Sequence, residues 1–325
     1  MSKRVALITG ISGQDGSYLA EHLLEQDYEV HGIVRRQSVS ENQESRIDHL
    51  GSNITTYYGD LTDYSSLEDA VAKSKPTHIF NLGAMSHVRI SSDMPIFTVN
   101  TNSNGVLNLL EVYRNHVPDS KFYQASSSEM FGNSVDDDGF QRESTPMTPV
   151  SPYGCSKLLA YSLVRHYRHA YKLHATNGIL FNHESPRRGS NFVSNKVVKT
   201  AVQISYGLAE KLYLGNMDSY RDWGHAKDYT RAMISIINHD TPEDFVVSTG
   251  QTHSVRDLCK FVFSYLNMDY HDYVEQDVKF LRPEELKYLK GDSTKTRNTF
   301  KWEPSYTFES MLTEMIEHWK EKLNV

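Results

Sequence analysis

The sequence predicts an α/β fold: a doubly wound parallel sheet with a smaller C-terminal lobe interleaved with it. Three observations carry this expectation. Short β-rich apolar runs alternate with helical segments as far as Phe181, a glycine-rich turn separates the first run from the first helix, and the alternation breaks after Phe181. No Gly/Ser/Pro-rich linker marks that break, so the remaining chain should pack into the sheet domain rather than hang beside it.

Taken in order, "RVALIT" (Arg4 to Thr9) is a strand that stops at glycine, and "SYLAEHLLEQ" is a helix with Leu19, Leu23 and Leu24 on one face. Further strands are expected at Glu29 to Val34, Ile54 to Tyr58, Thr77 to Leu82, Lys121 to Ser126 and His174 to Phe181. Helices such as "NTNSNGVLNLLEVYRN" and "SKLLAYSLVRHYRHAY" lie between them, and right-handed crossovers would make the strands parallel. "NHESPRRGSNF" reads as a loop, and later pieces return to helix and isolated strand. The expected division is a dinucleotide-binding domain over 1–183 with 222–250 returning to it, and a second lobe over 184–221 and 251–325.

With 325 residues, 38% of them hydrophobic, the chain buries a substantial core. It has no apolar run of about 18 residues and no basic leader ahead of an apolar stretch, so a soluble, unexported protein is expected. Cys155 and Cys259 are too few for a disulfide framework or a cysteine zinc site, which fits the reducing cytoplasm. The net charge of -7 argues against general nucleic-acid binding, while basic pairs such as Arg35-Arg36 and Arg187-Arg188 suit the phosphates of a small ligand.

"GISGQDG" places Gly10, Gly13 and Gly16 between the first strand and the first helix. Glycine lets the backbone turn tightly and approach a pyrophosphate at the positive end of a helix, so a dinucleotide is the expected ligand. The second strand runs out in Val34, Arg35 and Arg36, where an NAD site would offer a carboxylate to the adenosine ribose. Two guanidiniums there favour a 2′-phosphate, hence NADP. Asp60, after the third strand, would accept from the adenine amino group or cap the next helix.

"SPYGCSK" sets Tyr153 and Lys157 four residues apart on one helical face. After a glycine-rich turn and five strands, the pair resembles the Tyr-x-x-x-Lys of the short-chain dehydrogenase/reductase superfamily, a likeness that covers nearly the whole chain and implies a Rossmann-type sheet. The resemblance implies that Lys157 favours the Tyr153 phenolate, drawing its pKa down, and holds the nicotinamide ribose. Tyr153 would then take the proton of a sugar hydroxyl as hydride leaves the carbon, with Ser127 orienting the same oxygen. Glu129, in "ASSSEMFG", is surplus to that chemistry. It becomes useful once C4 of a hexose is a ketone, because the C5 proton is then acidic, and a carboxylate there removes it and helps expel the C6 hydroxyl as water.

"NGILFNHESPRRG", "LGNMDSYRDWGHAKDY" and "LRPEELKYLKGDSTK" closely resemble the corresponding stretches of the GDP-mannose 4,6-dehydratase family. Dehydratases of dTDP-glucose resemble Thr-Asp-Glu at the catalytic strand end, whereas the middle slot here is Ser128, as in the GDP-mannose enzymes. The resemblance implies a lyase acting on GDP-mannose, with Ser127, Glu129, Tyr153 and Lys157 as its catalytic set. It implies an NADP site formed by Gly10, Ser12, Gly13, Gln14, Asp15, Gly16, Arg35, Arg36, Asp60, Leu61, Leu82, Gly83, Ala84, Met85, Ser86, Lys157, His183 and Arg188. Asn182, Lys196, Arg221, Arg282 and Glu285 are expected around GDP-mannose, the cations at its diphosphate and Glu285 at a ribose diol. His183 beside Glu184 lacks a second histidine at i+4, so no metal is expected and a ribose or nicotinamide contact is.

The chain departs from the family in Ser127 for threonine, in Gly83 and Met85 for alanine and glutamine, and in the acidic loop containing Asp136 to Asp138. Family members pair through helices corresponding to Asn100 to Asn115 and Tyr153 to Tyr171, so a homodimer or homotetramer is implied, with "RRQSVSENQESRIDHL" as the second contact. A reductase or epimerase of a related nucleotide sugar and a catalytically silent NADP-binding regulator are the alternatives.

Overall fold

The structure, a computed structural model, describes residues 3–36 and 46–324. Strands β1 (Val5–Thr9), β2 (Glu29–Val34), β3 (Ile54–Tyr58), β4 (His78–Asn81), β5 (Lys121–Ser127) and β6 (His174–Leu180) match the six expected, no end shifted by more than one residue. Short strands β7 (Asn182–Glu184), β8 (Leu212–Leu214), β9 (Tyr220–Arg221) and β10 (Trp223–His225) precede β11 (Asp244–Val247), and β12 (His253–Ser254) and β13 (Val274–Gln276) follow it. The main sheet has the order β11-β6-β5-β4-β1-β2-β3, with every neighbouring pair parallel. Strand order reverses between β1 and β4, and a ligand crevice opens outside the carboxyl ends of strands at such a switch point.

Helices α1 (Gln14–Leu24), α2 (Tyr64–Ser74), α3 (Val88–Asp93), α4 (Pro95–Val99), α5 (Gly105–His116), α6 (Pro152–Tyr171), α7 (Val193–Ser205), α8 (Ala226–Asn238), α9 (Val255–Tyr265), α10 (Thr294–Phe300) and α11 (Phe308–Lys322) complete the chain. The strands are apolar on both faces because helices cover both. Ala6 and Ile8 of β1 point into a core with Leu19 and Leu23 of α1 and Ile236 of α8. Leu7, between them, points into the opposite core with Leu67 of α2, Leu109 of α5 and Val164 of α6. A third core is built by Val198 of α7, Val262 of α9 and Ile316 of α11.

Two glycines of the first turn are required by space. Gly10 has φ of +69°, and a Cβ there would lie 2.9 Å from the Gly83 nitrogen. A Cβ on Gly16 would lie 2.3 Å from the Gly10 carbonyl oxygen, so α1 and β1 approach as closely as they do only without side chains.

The structure departs from the expected elements in two places. The helix expected from Asn100 is preceded by α4 and interrupted by a π-helical turn at Asn100–Asn104, an extra residue in one turn that apolar periodicity does not register. Part of the expected loop "NHESPRRGSNF" forms β7, which pairs with β10. The seventh sheet strand, β11, which pairs with β6, lies within the 222–250 stretch expected to return to the sheet domain. Of the proposed second oligomer contact, residues 37–45 lie outside those described. Among the described residues, no helix is long and apolar enough to cross a membrane.

Candidate active site

Ser127 ends β5 and caps a 3₁₀ turn, Ser128–Phe131, by accepting from the Glu129 N–H at 3.2 Å. Met130 and Phe131 are fully buried in an apolar cluster with Phe181 and Leu289, and these anchors orient the turn that carries Glu129. Gly132 closes the turn at φ of +60°, where a Cβ would lie 1.8 Å from the Thr148 carbonyl oxygen. Glu129 is 6% exposed. Its Oε1 accepts from Arg282 Nη1 at 3.3 Å, while its buried Oε2 has no hydrogen-bond partner.

Helix α6 begins next to this turn. Pro152 takes its first position, and Ser151 caps it by accepting from the Gly154 N–H at 3.0 Å. The first turns of α6 bring Tyr153 and Lys157 to the cavity that Ser127 and Glu129 also line. The expected drop in the Tyr153 pKa is not what the geometry gives. Burial pushes the phenol up to about 12, against a lowering hydrogen bond with Ser127, and the Glu129 charge pushes the same way as burial. Lys157 does not offset this: its Nζ donates to the Ala125 carbonyl at 2.8 Å and stands 5.9 Å from the centre of the Tyr153 ring. Burial lowers the lysine in turn to about 8. The sequence showed the pairing but not the depth at which both groups lie.

Two cavities meet along Asp15, Leu82, Ala84, Ser86 and Arg188. The first, of 980 Å³, is lined by Gly10, Ser12, Gly13, Gln14, Asp15, Gly16, Arg35, Asp60, Leu61, Leu82, Gly83, Ala84, Met85, Ser86 and Arg188. Arg36 is not on its wall; it sits beside it, 5.9 Å from the ring centre of Tyr58, which is. Asp60 does not cap the next helix, whose N-cap is Asp63; its carboxylate accepts from the Thr62 N–H at 2.9 Å and hydroxyl at 2.7 Å. The shape and chemistry fit a dinucleotide: a cradle at the α1 N-terminus whose close approach requires glycine, and a cationic wall at the end of β2.

The second cavity, of 730 Å³, brings together Ser127, Glu129, Tyr153, Lys157, Asn182, His183, Lys196, Arg221, Arg282 and Glu285. Lys196 Nζ donates to the Tyr213 carbonyl at 2.6 Å and lies 3.6 Å from the centre of the Phe280 ring. Glu285 Oε1 accepts from Arg221 Nη2 at 3.2 Å and faces Arg282 Nε at 3.7 Å. Its carboxylate therefore braces two arginines in this structure.

His183 has acceptors on both sides, the Phe181 carbonyl 2.7 Å from Nδ1 and Asp15 Oδ2 2.8 Å from Nε2. Only the imidazolium donates from both nitrogens. Burial would lower the histidine, but the Asp15 carboxylate outweighs it and raises the pKa. The same pairing overrides the burial of Asp15 and lowers the carboxyl. The ring stacks on Tyr229 with centroids 4.5 Å apart. Among the described residues, no group of three or more His, Cys, Asp or Glu side chains is arranged to hold a metal ion.

Sequence reasoning missed two lining residues and one that braces the wall from behind. Arg46, on the first cavity, donates to the Arg187 carbonyl at 2.7 Å and the Ser12 carbonyl at 3.3 Å. His87, on the second, accepts from the Ile90 N–H at 3.2 Å. Asn102, in the π turn, accepts from the Met85 N–H at 2.8 Å and donates to the Met85 carbonyl at 2.9 Å and Ser156 Oγ at 3.1 Å. It ties the loop after β4 to the helix that bears Tyr153 and Lys157. No local pattern marks Arg46 or Asn102, because each reaches its place through tertiary contacts, whereas His87 is held by the local cap of α3.

The profile of the GDP-mannose 4,6 dehydratase family matches residues 7–315. The human GDP-mannose 4,6 dehydratase is 45% identical over 97% of this chain and 91% of its own length. GDP-mannose 4,6 dehydratase 1 of Arabidopsis thaliana is 43% identical over 97% and 89%. Among solved structures, the dTDP-glucose 4,6-dehydratase of Bacillus anthracis in complex with NAD superposes with a TM-score of 0.83 at 24% identity, covering 98% of this chain and 97% of that one. RMD from Pseudomonas aeruginosa complexed with NADPH gives 0.80 at 22% identity, covering 98% of each. The structural likenesses show a common fold.

Proposed function

Because the chain belongs to the GDP-mannose 4,6-dehydratase family, we propose how its own residues convert GDP-mannose to GDP-4-keto-6-deoxymannose and water, with NADP as the cofactor. A nicotinamide cofactor held along the glycine turn of Gly10, Gly13 and Gly16 and at Arg35 would supply the redox chemistry, hydride acceptance from the sugar C4 and its return at C6.

Tyr153 is the base for the C4 hydroxyl. It acts as the phenolate, a form that burial disfavours by pushing the phenol up to about 12 and that the hydrogen bond with Ser127 favours. Glu129 is the base for C5, acidified by the neighbouring ketone, and then the acid that protonates the departing C6 hydroxyl. Its Oε2, without a partner, is the oxygen free to do so. Lys196, Arg221 and Arg282 supply cations for the diphosphate.

Arg35 at the end of β2, with Arg46 on the same cavity wall and no carboxylate at that strand end, supports NADP over NAD. Exposed Ile96 and Val99 of α4 and Leu159 of α6 give the long helices an apolar outer surface, which supports pairing of two copies. Two lone cysteines, one exposed and one buried, accord with a cytoplasmic location. The cores under the sheet and under α7, α9 and α11 support a division into a cofactor domain and a substrate lobe.

The observation that carries the proposal is the convergence of Ser127, Glu129, Tyr153 and Lys157 on one cavity beside the cofactor cavity. Incubation of the purified protein with NADP and GDP-mannose, followed by mass, tests it. Loss of one water without added NADPH is expected. In a parallel incubation supplied with NADPH, its stoichiometric consumption would point to a reductase, and no turnover with NADP retained would point to a silent regulator.

A further inference from the structure

We propose that Arg282 is a positioning residue for Glu129, beyond any contact it makes with the substrate's diphosphate. The inference rests on the dehydratase reading above. Four side chains of alternating charge form a line: Glu129 Oε1 accepts from Arg282 Nη1 at 3.3 Å, Arg282 Nε faces Glu285 Oε1 at 3.7 Å, and Glu285 Oε1 accepts from Arg221 Nη2 at 3.2 Å. Arg221 closes the line by donating through Nη1 to the carbonyls of Tyr220 at 2.9 Å and Leu286 at 3.0 Å. A guanidinium suits the middle place because its planar fork spans two carboxylates, which a lysine ammonium does not.

This arrangement makes the two oxygens of Glu129 unequal. Oε1 is occupied by the arginine, and Oε2 is buried without a partner. A proton on Oε1 would face the guanidinium, so the proton from C5 goes to Oε2. The C5–H bond breaks, its electron pair forms the C4–C5 double bond of an enolate, and Oε2 holds the proton. That proton then passes to the C6 oxygen as the enolate re-forms the C4 carbonyl, the C5–C6 double bond forms, the C6–O bond breaks and water leaves. Glu129 is again a carboxylate held by Arg282.

The backbone keeps the arginine in register with the base. Asn133, just past the catalytic turn, accepts from the Lys287 N–H at 3.1 Å and donates to the Glu285 carbonyl at 3.4 Å. Gln141 N–H donates to the Lys290 carbonyl at 2.9 Å. The stretch bearing Arg282 and Glu285 is thus fastened to the stretch that follows Glu129, and the spacing of arginine and glutamate is set by the fold.

The test compares wild type, Arg282→Met and Arg282→Lys as full-length proteins with NADP and GDP-mannose, using substrate deuterated at C5 or at C4. Arg282→Met is expected to lower kcat roughly 10–100-fold and to enlarge the C5 isotope effect on kcat, but not the C4 effect, because proton removal becomes the slow step. Arg282→Lys keeps a cation for the diphosphate, so KM should recover while kcat stays low. A rise in KM alone, with kcat and isotope effects at wild-type values, refutes the role, as does recovery of both constants in Arg282→Lys. Should Arg282→Met fail to fold by thermal unfolding, Arg282→Lys decides: low kcat with a normal KM supports the role, and wild-type kcat refutes it. Wild-type protein inert toward GDP-mannose refutes the dehydratase reading and the role with it.

Discussion

Lys157 should cost the protein stability for the sake of its place in the active site, and Lys157→Met exposes that cost. The side chain is 4% exposed, and burial brings its pKa from the ordinary 10.5 down to about 8. At about 1.4 kcal/mol per tenfold change in proton affinity, holding the ammonium at pH 7 costs about 3 kcal/mol. Methionine has a similar length and no charge, so it removes this penalty. It also leaves the Ala125 carbonyl without its 2.8 Å donor, a loss of about 1–2 kcal/mol. The net expectation is a variant about 1–2 kcal/mol more stable than wild type at pH 7. The pH dependence carries a definite sign. Because the folded-state pKa lies below the unfolded one, the unfolded chain binds more protons between about 8 and 10.5, and wild-type stability rises with pH across that window. By pH 9 the wild type should regain about 1 kcal/mol of the difference, and above the upper limit only the lost hydrogen bond should remain. Urea unfolding of both proteins without cofactor at pH 7 and pH 9 measures this, and turnover of Lys157→Met should be nearly abolished. A variant less stable than wild type at pH 7, or a difference that does not shrink on raising the pH, refutes the argument that an ammonium is buried at a cost.

Three further outcomes are expected. Glu129→Gln should keep the melting temperature and NADP binding within experimental scatter while water loss from GDP-mannose falls roughly 100–10,000-fold, as mass analysis of the product will read. Arg35→Asp combined with Arg46→Ala should weaken NADP binding about 10–100-fold with little effect on NAD, measured by titration of the two cofactors. His183→Gln should be destabilised most at mildly acidic pH. The His183 pKa is raised by Asp15, so its contribution is fully present below about 6.5 and fades as pH rises through the folded value. The lowered Asp15 sets the other limit, its contribution being lost as pH falls below the ordinary carboxylate range. Thermal unfolding of wild type and variant from pH 4 to pH 9 maps the window, and a deficit that grew steadily toward alkaline pH would contradict the ion pair.

Much of the site could be read in advance where a local pattern reports on a local structure. The glycines at 10 and 16 are demanded by a turn formed within seven residues, and the four-residue step from Tyr153 to Lys157 is one turn of helix. Residues that reach their place across the fold left no such mark. Arg46 follows β2 by a dozen residues and returns to the Ser12 carbonyl; Asn102 acts through a π turn that periodicity does not register. Tyr153 and Lys157 line one cavity, yet their electrical state differs from the expectation: Lys157 was expected to bring Tyr153 down, and burial raises the phenol instead.

The amino-acid order by itself determined the parallel sheet, the cofactor turn and the presence of a serine, glutamate, tyrosine and lysine suited to the chemistry, because these follow from side-chain type and from spacing over one turn or one strand. Only the folded chain decided that Arg282 would grip one oxygen of Glu129, that Glu285 would brace two arginines, and that Lys157 would lie deep enough to hold its proton less tightly. Those outcomes depend on distance and solvent exclusion between segments up to 153 residues apart, and electrostatic energy is a function of both.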